Sequence, residues 1–139
     1  MAFQLWVIYA FVALIGFFLV NFLFKVVSHE NPLVVSLILY SSAVITILAI
    51  ILPSSDVSMA ISKKSAIVAA FIGFSSVGAT IFALKSVEIA PNPGYSVAIY
   101  SAGFVFVVIA SVFAFGSEIT ITKFIGVLAV FAGMVLLAL

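Results

Sequence analysis

Residues 83–139 read ALKSVEIAPNPGYSVAIYSAGFVFVVIASVFAFGSEITITKFIGVLAVFAGMVLLAL, and the rest of the chain is organised around them. Two long apolar runs lie here, Gly94 to Phe115 and Ile121 to Leu139. Each is long enough to cross the hydrocarbon core of a bilayer as a helix, which takes about 20 residues. A polar hinge, Gly116-Ser117-Glu118, separates them, and the turn Pro91-Asn92-Pro93-Gly94 precedes the first. In the last run Gly126 and Gly133 stand one heptad apart, with Ala129 four residues before Gly133. Small residues at this spacing let two helix backbones come close in lipid, where packing drives association.

Moving towards the N-terminus, three more runs of the same kind appear. The first is Phe3 to Val27, with Trp6 and Tyr9 near its start, as suits the membrane–water interface. Its length exceeds that of a secretory h-region and it lacks a basic n-region, so it is expected to remain as a span. The connection Ser28-His29-Glu30-Asn31-Pro32 follows, and Pro32 suits the first turn of a helix. The second run is Leu33 to Leu52 and the third is Ala66 to Leu84. Between them the polar stretch PSSDVSMAISKKS, residues 53–65, reads as a surface loop. The third run is rich in small residues, Gly73 and Gly78 among them, and reads as a helix packed tightly among others.

Composition points the same way. Hydrophobic residues make up 67% of the chain and charged ones 6%, far too little polar surface for a soluble domain of this length. Open strands cannot span a membrane, and a barrel would alternate apolar and polar residues where these runs are continuous. The expected fold is all-α: one transmembrane domain over residues 1–139, five spans at about 3–27, 33–52, 66–84, 94–115 and 121–139 in an up-and-down bundle. There is no Cys, one His and no Arg, so thiol chemistry, metal clusters and bidentate phosphate clamps lack their residues. No catalytic spacing, phosphate loop or dinucleotide fingerprint appears. No cofactor or metal is expected, and the chain is not expected to be an enzyme. A net charge of +1 without a basic run argues against nucleic acid as a partner.

The C-terminal stretch resembles the end of an EamA repeat, the five-helix unit of the drug/metabolite transporter superfamily. The similar features are the Ala83-Leu84-Lys85 helix end, the Pro-containing hinge and a helix ending in Phe115-Gly116. A short turn follows, then the pair Ile125-Gly126 and Gly133 seven residues on. The family usually carries Glu nine residues before the Ile-Gly glycine, where this chain has Ser117; its Glu118 comes one place later. With the first three runs included, the likeness covers nearly all of the chain. It implies a half-size transporter in a prokaryotic cell (inner) membrane. Two copies, or this chain and a second five-helix chain, would pair to move a small molecule by alternating access. Small relatives in the superfamily imply a flippase for a lipid-linked head group as the alternative. An accessory subunit without transport is the reading from a different class.

Polar side chains within the spans mark a candidate pathway, because each needs a partner in hydrocarbon. Asn21 and Lys25 lie one turn apart on the first run. They face a cavity, or Asn21 ties two helices together while Lys25 snorkels to the interface. Ser36 and Tyr40 share a face of the second run with Ser41 adjacent, and Ser96, Tyr100 and Ser101 repeat the pattern in the fourth. These faces line a cavity or serve helix–helix hydrogen bonding. Asn92 sits in a turn that is either a plain loop or a broken helix start offering free backbone groups. With no carboxylate mid-span, the expected substrate is neutral or zwitterionic.

Lys63, Lys64 and Lys123 fall on one side of the membrane and Lys25 and Lys85 on the other, which favours a cytoplasmic N-terminus by three to two. So thin a margin is what insertion in both orientations would require. It also follows simply from a chain with few charges.

Overall fold

The computed structural model describes residues 5–54 and 57–138, and α-helices joined by short turns and loops make up the described residues. Expectations that fall on Phe3, on the side chain of Trp6 and on Leu139 lie outside the described residues. Six helices follow in order: α1 Leu5–Val27, α2 Pro32–Ile51, α3 Lys63–Ile89, α4 Pro93–Ser101, α5 Phe104–Phe115 and α6 Ile121–Ala138.

Four stretches are long and apolar enough to cross a membrane: Val7–Val27, Pro32–Ile51, Lys63–Ile89 and the joined pair α4–α5, Pro93–Phe115. The fifth apolar stretch, Ile121–Leu137, is shorter. Large apolar side chains point outward along these helices, among them Phe17, Leu37, Ile45, Phe74 and Phe106. Such an extent of exposed hydrocarbon is stable against lipid or a partner, not against water. The chain is therefore an integral membrane protein by the character of its helices.

Local chemistry sets where the helices begin. Asn31 accepts a hydrogen bond from the Leu33 amide at 2.9 Å and Pro32 takes the first helical position of α2. Asn92 does the same for Gly94 at 2.8 Å, with Pro93 opening α4. Each Asn satisfies an amide that a helix start leaves orphaned, and each Pro lacks one there. Ser62 holds the start of α3, its Oγ accepting from the Ser65 amide at 3.1 Å. That cap starts α3 at Lys63, so three residues expected in the preceding loop are helical.

Two helix ends are equally specific. Gly116 closes α5 in the left-handed region with φ 62°, and the Ser117 amide reaches back to the Ser111 carbonyl at 3.3 Å. In this left-handed backbone conformation a side chain at the glycine is strained. Gly116→Ala is expected to lower unfolding stability by about 1 kcal/mol, read as an earlier transition in detergent titration of the purified chain. The fourth run, expected as one continuous helix, has a tight turn inside it. The amides of Gly103, Val105 and Phe106 bond three residues back, to Tyr100, Ala102 and Gly103. This local 3₁₀ pattern divides the rod into α4 and α5.

The chain divides into two compact units, residues 1–88 and 89–139. In the first, Phe24 and Ser28 at the end of α1, Ser36 near the start of α2, and Leu84 and Val87 near the end of α3 are buried. The core thus gathers where the chain leaves α1 and enters α2, with the last turns of α3 joined to it. Along the small-residue half of α3, residues 66–75 are exposed. A Cβ added at Gly73 or Gly78 would meet no atom within 4 Å. Their smallness closes no helix contact inside the unit. In the second unit α4 packs on α6, and Ser96, Ala102 and Val105 are buried.

Candidate functional site

Polar chemistry in the first unit begins where α3 ends. The helical donor for the Val87 carbonyl would be the amide of residue 91, and Pro91 has none. Lys25, 62 residues earlier in the chain, fills that role. Its Nζ donates to the Val87 carbonyl at 3.0 Å and to the Glu88 carbonyl at 3.2 Å. A cation on the last carbonyls of a helix also opposes the negative end of its dipole. Ser28 locks the same corner by donating to the Lys25 carbonyl at 3.1 Å. Lys25 is thus a tie between α1 and α3, neither a free snorkel nor a bare cavity charge. Its neighbour on the helix, Asn21, donates to the Phe17 carbonyl one turn back at 2.8 Å.

A second tie joins α2 to α3 one step deeper. The Tyr40 and Thr80 hydroxyls share a hydrogen bond of 2.8 Å. Beside it runs a groove of about 210 Å³ lined by Leu33, Ser36, Leu37, Tyr40, Val77 and Ile81. Ser36 and Tyr40, four residues apart, do share one helix face, and that face lines the groove. Ser41, expected with them, is exposed and not part of the lining. Thr80 was not legible as a site residue. It looks like one more small residue in Gly78-Ala79-Thr80, and only the fold puts it opposite Tyr40.

In the second unit Ser96 is buried, Tyr100 is half-exposed, and both are engaged in interactions. Asn92 is a helix cap, so the turn before α4 keeps its first amides satisfied. Ser101 lines a different feature, an almost wholly apolar groove of about 540 Å³ between α4 and α6. Ala98, Ala102, Val130, Gly133 and Met134 form much of its wall. On α6, Gly126 and Ala129 are exposed, and a Cβ on Gly126 or Gly133 would meet nothing within 4 Å.

Charged groups keep to the ends and loops. His29 and Glu30 form an exposed pair at 3.2 Å, of the kind that contributes little to stability. Among the described residues, no three His, Cys, Asp or Glu side chains gather as metal ligands would. Among the described residues the arrangement offers hydroxyls, helix-end carbonyls and apolar walls.

Comparison of the chain with described protein families, curated proteins and solved structures gives no match.

Proposed function

We propose that this protein is the subunit of a membrane transporter that moves a small neutral or zwitterionic molecule by alternating access, assembled as a dimer. The observation that carries the reading is the α2–α3 groove. It is a mostly apolar recess whose wall includes Ser36 and Tyr40, the latter hydrogen-bonded to Thr80. Polar groups at membrane depth are costly, which makes them the first place to look for a substrate route. The small-residue faces supply the second half of the argument. Gly73, Gly78 and Gly126 have open space where a Cβ would be, so a second helix from outside the chain has room to approach. A fifth span by α6, with 18 residues reaching about 27 Å, completes the membrane topology in this proposal. The resemblance to a single EamA repeat agrees with it, resting on the residues quoted for it above.

Two opposed copies of a five-span unit would form the inverted pair on which many transporters are built. Location of the termini tests this directly. A single Cys at either end of the Cys-free chain is expected to label partly from each side of the native membrane with an impermeant thiol reagent. Complete one-sided labelling of both ends excludes self-inversion and requires a different, oppositely oriented partner.

One observation favours a second reading. The α4–α6 groove is long enough in volume, about 540 Å³, and apolar enough for a lipid tail, as a flippase for a lipid-linked head group would need. Photocrosslinking of a polyprenyl probe at Met134, with none at Ser42 on α2, would move weight to that reading.

A further inference from the structure

Ser36 is the hydroxyl that the fold leaves unanswered. Its Oγ is buried, the residue keeping 4% of its exposure, and no hydrogen-bond partner is within reach. Helical hydroxyls usually bond a carbonyl one turn back. In this chain Thr46, Ser76 and Ser111 do so, donating to Ser42, Ile72 and Val107 at 2.6–2.9 Å. Ser36 has the Pro32 carbonyl one turn back and does not take it. A buried polar group without a partner is costly, and more so in a surrounding without water. The residue lies in the wall of the α2–α3 groove, one turn from the Tyr40–Thr80 pair.

We infer that this groove binds a small uncharged molecule carrying one hydroxyl or carbonyl group, and that a rotation of the Ser36 side chain, whose Oγ is closed off in the groove as it stands, lets that group complete its hydrogen bonding. Leu33, Leu37, Val77 and Ile81 take the apolar body of the molecule. No Asp, Glu, Lys, Arg or His lines the groove, so an ion entering it would lose its hydration without gaining a counter-charge. At interior packing density, a groove of 210 Å³ holds about eight to ten non-hydrogen atoms. The site deepens the transport reading, and the bound molecule's role as cargo rests on that reading; binding itself does not.

The probe is 2-(4-fluorophenyl)ethanol, with 1-fluoro-4-propylbenzene as the isostere that lacks the hydroxyl. Binding to the full chain in phosphatidylcholine nanodiscs is read by fluorine NMR saturation transfer, corrected against empty discs. The alcohol is expected to bind about tenfold tighter than the hydrocarbon after correction for lipid partitioning, as one hydrogen bond at a buried site allows. Ser36→Ala is expected to erase that preference and to leave the unfolding transition unchanged or raised, since its hydroxyl has no partner to lose. Val77→Phe, which fills the groove, is expected to abolish binding of both probes. Equal binding of the two probes in the native chain overturns the proposal. So does a Ser36→Ala chain that unfolds earlier or fails to fold, because the hydroxyl is then structural. Hydroxyl-dependent binding in a chain that transports nothing leaves the site standing and sinks the transport reading. Transport by a chain without such binding does the reverse.

Discussion

Lys25→Met is expected to destabilise the folded chain by about 3 kcal/mol and to fray the last turn of α3. Pro91 follows the end of α3 and deprives the Val87 carbonyl of its helical donor, while Val87 itself is fully buried. The Lys25 ammonium replaces that donor at 3.0 Å and reaches the Glu88 carbonyl as well. A hydrogen bond from a charged donor contributes roughly 1.5–3 kcal/mol, and leaving a buried carbonyl unpaired costs about 1–3 kcal/mol. The Glu88 contact is exposed, so water recovers most of it. Met keeps the length and the apolar stem of Lys, which isolates the ammonium from packing. Unfolding in denaturing detergent measures the loss, and hydrogen exchange of residues 85–89 locates it. Lys25→Arg keeps the charge and is expected to restore more than half of the stability. A change below about 0.5 kcal/mol with unaltered exchange at the α3 end would show that the tie is dispensable. Loss of transport at unchanged stability would put Lys25 on the substrate route instead.

The same residue shows where reading the sequence succeeds and where it stops. Class was legible because membrane insertion depends on run length and polarity, both of which are local. The long apolar helices occur where the runs are. Caps are legible in part: Pro32 alone suits a first helical turn, whereas Asn31 and Asn92, each before a Pro, also fit a plain loop and start α2 and α4 only in the fold. The start of α3 at Lys63 depends on a Ser62–Ser65 contact inside what looked like a loop. The turn at Ala102–Gly103 has only three small residues, Ser101-Ala102-Gly103, to announce it.

Tertiary partners were out of reach for a plainer reason. Lys25 with Val87, and Tyr40 with Thr80, join residues 62 and 40 positions apart, and no pattern within one helix encodes such a pairing. The Ser36–Tyr40 face was legible because a spacing of four is a helix property. Its status as a groove was not, since that depends on Val77 and Ile81 arriving from α3. Glycine spacing signals that two backbones can approach but does not say whether the second belongs to the same chain, and on α3 and α6 the space beside Gly73, Gly78 and Gly126 is open.

That open space yields the other large effect. Under the dimer reading, replacing Gly126 and Ala129 together by Ile is expected to weaken self-association in bilayers by roughly tenfold to a hundredfold, the effect of about 1–3 kcal/mol of overpacking at a close helix contact. The folded chain is expected to change little in stability. Both residues are exposed, and a Cβ on Gly126 meets nothing within 4 Å. Ile is a better helix former than Gly and a poorer one than Ala, each by a few tenths of a kcal/mol, so the two propensity changes nearly cancel. Different responses separate an interface from a fold: a residue that only stabilised the chain would lower stability and association together. Energy transfer between labelled copies, diluted in lipid, reads the association, and detergent unfolding reads the fold. Association unchanged by the double substitution would remove the α6 face from the dimer. The exposed stretch of α3 around Gly73 would then be a second small-residue surface at which two copies could meet.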